Sequence, residues 1–179
     1  SRSDLESIIE DLDEESRKKF QETFEIVRQN FKKNFMILFS GGEADLKFTQ
    51  HDDILEAGIE IIAQPPGKQM RSISLLSGGE KCMTAITLLF SLFEVKPAPF
   101  CLLDEIDAPL DDSNVQKFMN LLQEFIGKTQ FIVITHNKVT MESADVLFGI
   151  SMQERGISKI LSMSFDKEEQ ENNSVVEVV

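Results

Sequence analysis

Asp104 and Glu105 close an apolar run, Phe100-Cys101-Leu102-Leu103. A buried strand that ends in two carboxylates delivers acids to the carboxyl edge of a sheet, where α/β ligands sit. There Asp104 is placed to hold Mg²⁺ through its coordinated waters, and Glu105 to orient and polarise an attacking water as a general base. An acidic turn after a strand is the plainer reading of the same pair. Upstream, Ser77-Gly78-Gly79-Glu80 opens a helical pattern. The two glycines leave their amides unobstructed, the helix presents its positive end, and Ser77 adds a hydroxyl, which together make an anion site. The same loop is an ordinary helix start with a serine cap, so phosphate docking would be a second use of it. His136 follows another apolar run, Phe131–Thr135, from which an imidazole nitrogen could reach a phosphate. A lone histidine there is commonly structural, and His51 is left without a role. No G-x-x-x-x-G-K-[ST] phosphate loop occurs; Pro66-Gly67-Lys68-Gln69 lacks its first glycine and its hydroxyl. The residues read as half of a nucleotide site.

The elements that must carry these groups follow from periodicity and punctuation. Residues 3 to about 38 have helical spacing: Leu5, Ile8, Ile9 and Leu12 share a face, which Phe20, Phe24, Val27, Phe31 and Phe35 continue. Asp11–Glu15 interrupts the stripe and allows a bend, and Gly41-Gly42 predicts a stop. A helix this long with so thin a stripe suits the end of a coiled coil. Short strands are expected over Ala44–Thr49 and Gly58–Ala63, around a turn at His51-Asp52-Asp53. Ser77 opens a helix to about Phe93, with Ala85, Leu88, Leu89 and Leu92 inside. Buried strands are expected at Phe100–Leu103 and Phe131–Thr135, a helix capped by Ser113 between them, and a short helix over Lys138–Ser143. Closing strands follow at Val146–Met152 and Ser158–Met163. The alternation predicts an α/β fold with a largely parallel sheet flanked by helices.

At 179 residues, one ordinary core is the default. No apolar run approaches the ~20 residues that span a bilayer, which with the lack of a signal-peptide pattern predicts a cytoplasmic piece of a longer protein. A net charge of −13 argues against broad nucleic-acid binding by this chain alone. Arg17-Lys18-Lys19 and Lys32-Lys33 read as a solvated helix face. Cys82 and Cys101 lack metal-ligand spacing and read as buried free thiols. From Asp166 the charged tail is expected to be disordered.

These motifs resemble a known family. Ser77-Gly78-Gly79-Glu80 looks like the signature loop of ABC-type ATPases, and Leu102-Leu103-Asp104-Glu105 like the Walker B strand end. With Pro65-Pro66-Gly67-Lys68, Leu110-Asp111-Asp112, Ile134-Thr135-His136-Asn137-Lys138 and the segment Ala144–Glu154, they resemble the C-terminal half of the ATPase head of SMC (structural maintenance of chromosomes) proteins, bacterial members most of all. Phe20–Phe39 looks like that family's helix joining coiled coil to head. ABC transporters usually have Glu-Pro-Thr where this chain has Glu105-Ile106-Asp107. Pro109 departs from the small residue that commonly precedes the D-loop Leu-Asp.

The resemblance implies three regions: a coiled-coil end and neck helix over residues 1–38, a head lobe over 39–165, and an acidic tail over 166–179. It also implies that an N-terminal half of the same head supplies the phosphate loop, and that this chain alone is inactive. Two heads would sandwich ATP and Mg²⁺, with Ser77, Gly78, Gly79 and Glu80 acting on the nucleotide of the opposite head. Asp104 and Glu105 would serve their own head's nucleotide, His136 its γ-phosphate, and Asp111 would bridge the interface. Implied partners are a second head, a kleisin subunit and, through the whole complex, DNA, in a nucleoid-associated role in chromosome condensation and segregation. A coiled-coil repair ATPase and a binding module that no longer turns over ATP are the rival readings.

Overall fold

One helix, α1 (Arg2–Phe39), leads into the fold. The structure is a computed structural model that describes residues 2–51, 53–164 and 176–177. Val27, Phe31, Phe35 and Leu38 are buried at helical spacing, whereas Ile8, Ile9 and Leu12 further up remain exposed. The helix runs unbroken through Asp11–Glu15, where the interrupted stripe allows a bend. The charged stretch is compatible with helix, and Lys19 pairs with Glu15 one turn back at 2.6 Å. The helix stops where expected. Ser40, Gly41 and Gly42 all take positive φ, and the Gly41 N–H donates to the Met36 carbonyl oxygen at 2.8 Å.

Strands β1 (Glu43–Phe48), β2 (Ile59–Gln64) and β3 (Arg71–Ser72) form an antiparallel sheet in that order. Bidentate bonds from Arg28 to Asp45, at 2.5 and 2.8 Å, tie α1 to β1, and the Lys32 ammonium lies 3.2 Å from the same carboxylate. A short 3₁₀ turn (Ile73–Leu75) precedes α2 (Gly78–Val95).

The inward face of α2 differs from the prediction. Ala85, Leu89 and Leu92 are exposed and Leu88 only partly covered, while Met83, Ile86 and Phe90 are buried with Thr84, Thr87 and Ser91. This helix is apolar nearly all round, so periodicity does not select a face. The buried hydroxyls satisfy themselves on their own helix: Thr84 donates to the Glu80 carbonyl oxygen, Thr87 to that of Met83 and Ser91 to that of Thr87, at 2.6–2.8 Å. Ser91 also meets α1, where Asn34 donates to its hydroxyl at 3.3 Å.

Strands β4 (Phe100–Asp104) and β5 (Gln130–Ile134) pair in parallel, joined through α3 (Asp112–Gln123). They are the one parallel pair among the described residues, so the largely parallel sheet is corrected to a mixed arrangement. Among the described residues only this connection is a helical crossover; loops join β1 to β2, β2 to β3 and β6 to β7, which pair antiparallel. Nor are β4 and β5 buried on both faces. Leu103 points into the core, whereas Phe100 is 63% and Leu102 59% exposed, with Ile132 and Ile134 exposed beside them. The cap of α3 is Asp111, not Ser113: the Asp111 carboxylate accepts from the Asn114 N–H at 2.8 Å. After α4 (Lys138–Glu142), β6 (Val146–Glu154) and β7 (Ile157–Ser164) make an antiparallel hairpin turned at Gly156, φ 87°.

The predicted acidic tail lies outside the described residues except for Val176–Glu177, which pairs with β7 as β8. Cys82 and Cys101 are free but half-buried, and burial pushes both thiols up from their ordinary value. One core cluster packs Phe90 of α2 and Leu103 of β4 against Val115, Phe118 and Leu122 of α3. The other packs Val27, Phe31 and Phe35 of α1 against Leu46 and Ala63. Among the described residues, no helix is long and apolar enough to cross a membrane.

Candidate functional site at the ends of β4 and β5

Asp104 is the last residue of β4 and pairs in register with Ile134, the last of β5. The next residue turns sharply. Glu105 takes φ 48°, a left-handed conformation unusual for a residue with a Cβ, and its N–H donates to the Ile134 carbonyl oxygen at 2.9 Å. Both carboxylates are exposed at the carboxyl edge of the parallel pair, as the sequence predicts. His136 stands two residues beyond β5, and its Nδ1 lies 4.0 Å from Glu105 Oε1. The fold thus gathers Asp104, Glu105 and His136 from two adjacent strand ends.

Underneath, Asp107 is 1% exposed and has a role that sequence reasoning did not assign. Its Oδ2 accepts from the Thr135 hydroxyl at 2.6 Å and from the Thr140 hydroxyl. Thr135 Oγ1 in turn accepts from the Asn137 N–H at 2.9 Å, and Asn137 caps α4 by accepting from the Val139 N–H at 2.8 Å. The signal was present as two threonines flanking His136 at short spacing, which is enough to suggest a polar clamp but not to name its acceptor.

The second group of candidates sits at the start of α2. Ser77 is the N-cap, and Glu80 reaches back to accept from both the Ser77 N–H, at 3.1 Å, and its hydroxyl, at 2.7 Å. Lys68 lies 2.8 Å from the other Glu80 oxygen. The Lys68 ammonium first, then Ser77, hold the Glu80 carboxyl well below the usual carboxylate range, at about 2. A Cβ on Gly78 would meet nothing within 4 Å, so this stretch of backbone faces open space. Beside the loop is a cavity of about 390 Å³ lined by Lys68, Gln69, Arg71, Leu76, Ser77 and Glu80, among others. Lys68 carries no role of its own in the sequence reading, where it stands in a failed phosphate-loop match and in a stretch of the resemblance; here it fixes the loop's glutamate.

The two groups meet through the turn after β4. The Cys82 thiol lies 3.8 Å from the Ile106 carbonyl oxygen, and a Cβ on Gly79 would lie 3.9 Å from that of Pro109. Asp111 begins α3 just beyond. No hydrogen bond or ion pair among the described residues joins Ser77–Glu80 directly to Asp104, Glu105 or His136. Nor do the described residues hold a group of three or more acidic, His or Cys side chains able to bind a metal ion by themselves. A lone exposed Asp104 fits a Mg²⁺ ion held mainly by phosphate and water oxygens.

Comparison with known proteins supplies the relationship. A family model described as the RecF/RecN/SMC N terminal domain matches residues 4–159. That match overturns the expected assignment to the C-terminal half of a head, and with it the expectation of a separate N-terminal half as the complement. The chain is 50% identical over 167 residues to the chromosome partition protein Smc of Bacillus subtilis (strain 168), which covers 93% of this chain but only 14% of that protein. It also superposes on a structure from work on ATP-driven dimerization and DNA-stimulated activation of SMC ATPases. The TM-score there is 0.75 at 42% identity, covering 83% of this chain and 89% of that one. On the Smc head domain of Pyrococcus furiosus, solved with an extended coiled coil and bound to the C-terminal domain of ScpA, it scores 0.79 at 41% identity over 90% of this chain and 40% of that one. A match over residues 4–159 spans most of the sequence, and the chain belongs to the RecF/RecN/SMC N terminal domain family.

Proposed function

We propose that this chain forms part of an SMC ATPase head that hydrolyses ATP as a dimer of heads and acts in chromosome partition and DNA loop handling. The observation that carries the reading is the meeting of Asp104, Glu105 and His136 at the paired ends of β4 and β5, with Glu105 Oε1 4.0 Å from His136 Nδ1. Adjacent acids at the carboxyl edge of a parallel pair are suited to phosphate chemistry. The relatives support it: one is a chromosome partition protein, and one solved structure concerns ATP-driven dimerization.

In this reading Glu105 accepts a proton from the water that attacks the γ-phosphate, and His136 contacts that phosphate. Asp104 would hold Mg²⁺ through water, and the ion would neutralise charge developing on the phosphates. Ser77, Gly78 and Gly79 dock the γ-phosphate held by the second head, using the hydroxyl and the open amides at the start of α2. Glu80 keeps that loop in shape from below, because Ser77 and Lys68 already engage its oxygens. Asp111, anchored as the cap of α3, would be the D-loop residue that bridges the heads. Hydrolysis is proposed to belong to the dimer of heads.

Residues 1–38 are assigned to a coiled-coil end and neck, 39–165 to the head lobe, and 166–179 to an acidic tail. A kleisin subunit is the proposed partner, since a similar head was solved with the C-terminal domain of ScpA. Its proposed surface is the β6–β7 hairpin, where Phe148, Ile150 and Met152 are exposed. DNA would be engaged by the whole complex, and the protein would reside in the cytoplasm with the nucleoid. The test is ATP hydrolysis by a complete head carrying this sequence, with and without Glu105→Gln. Loss of turnover with retained nucleotide binding supports the reading; unchanged turnover refutes it.

A further inference from the structure

Asp107 is a poor core residue. It is 1% exposed, its Oδ2 serves two threonine hydroxyls, and its Oδ1 has no hydrogen-bond partner among the described residues. A buried carboxylate with an unsatisfied oxygen is costly, and an apolar side chain of similar size would avoid that cost. Packing alone therefore gives no reason for an aspartate here. Its contacts give one. Thr135 and Thr140 bracket the segment that carries His136, and Thr135 passes the restraint on by accepting from the Asn137 N–H. Asp107 itself lies in the turn that starts at Glu105, with the Leu110 N–H bonded to the Asp107 carbonyl oxygen at 3.0 Å. One side chain thus joins the turn bearing Glu105 to the loop bearing His136.

We infer that Asp107, acting through Thr135, is the positioning residue that sets His136 relative to Glu105 during ATP hydrolysis. The inference rests on the ATPase reading above and goes beyond it. Neither Asp107 nor Thr135 reaches the reacting atoms. Both restrain the backbone on either side of the imidazole through hydrogen bonds. A small displacement of a group aimed at a phosphate is enough to lower turnover by about 10–100-fold, so a lost clamp would appear in kcat.

The experiment is a double-mutant cycle in a complete head, reading kcat, KM for ATP and nucleotide-dependent head dimerisation. Asp107→Ala is expected to lower kcat by about 10–100-fold with KM and dimerisation held within about twofold. If that variant does not fold, Thr135→Val replaces it, with Thr135→Ser as the version that keeps the hydroxyl and restores turnover. In a His136→Ala background, either damaging change should cost less than about twofold, because the residue it positions is already gone. Independent effects that multiply in the double mutant, or a Thr135→Ser head as impaired as Thr135→Val, would overturn the positioning role alone. A wild-type head with no ATPase activity would overturn both this inference and the reading beneath it.

Discussion

Glu105 reaches His136 across the paired ends of two parallel strands: Oε1 and Nδ1 are 4.0 Å apart, and the Glu105 N–H is bonded to the Ile134 carbonyl oxygen. Glu105 achieves this by leaving β4 in a left-handed turn at φ 48°. Such strain in a residue with a Cβ persists only where the surroundings over-determine it. Here the strand pairing before it and the Asp107 clamp after it do so. The geometry therefore places the Glu105 carboxylate and the His136 imidazole by backbone restraint more than by direct contact.

The start of α2 should respond to Lys68. Lys68 is the main cause of the low Glu80 pKa, about 2, with Ser77 second. Lys68→Met should raise the Glu80 pKa toward its ordinary value while Ser77 keeps it somewhat low. Carboxyl titration by NMR checks this, and a Glu80 pKa still near its wild-type value would show that Lys68 does not set it.

Asp45 should contribute an acid-sensitive part of the stability. Arg28, with Lys32 assisting, holds its carboxyl at about 2, and its side chain is 15% exposed. A folded pKa below the ordinary ~4 means the contribution is complete above about pH 4 and is lost as pH falls toward 2. Asp45→Asn should cost about 1–2 kcal/mol at pH 7 and flatten the stability profile between about pH 4 and 2. Denaturant melts across that range test both statements.

Gly42 should tolerate no side chain. It takes φ 79°, and an added Cβ would collide with the Gln64 carbonyl oxygen, where the chain leaves α1 against β2. Gly42→Ala should destabilise by more than about 1 kcal/mol in equilibrium unfolding. Gly67→Ala is the informative control, because φ there is also positive, 75°, but no atom lies within 4 Å of the added Cβ.

Ser77 should be dispensable for folding and needed for head pairing. Ser77 is exposed, and Ser77→Arg would place a bulky side chain at the start of α2 while leaving the cores intact. Nucleotide-dependent dimerisation, followed by light scattering, should be lost while stability falls only by the loss of a helix cap, about 0.5–2 kcal/mol. Dimers that form normally would show that the loop does not meet the second head's nucleotide.

Much of this was legible because the residues that set it are local. The Phe31-Phe35 spacing and the glycines after α1 fix their own elements and the structure places them as read, while the apolar run into Asp104-Glu105 fixes a strand but not its burial. What stayed hidden depends on tertiary partners. Nothing in α2 alone says that Thr84, Thr87 and Ser91 are buried while Leu89 and Leu92 face out, since every hydroxyl is satisfied within the helix. The Asp111 cap was missed because Asp111, Asp112 and Ser113 are all capable caps and only backbone geometry chooses among them. The Asp107 clamp needs two threonines from beyond β5, and which strands pair depends on partners that no single element reveals.

The most direct test of the account is single-turnover ATP hydrolysis by a complete head carrying this sequence, compared with its Glu105→Gln variant. If Glu105 is the general base, the variant should bind ATP and form head dimers but hydrolyse about 10²–10⁴ times more slowly. Hydrolysis by the Glu105→Gln head at the wild-type rate would contradict the account.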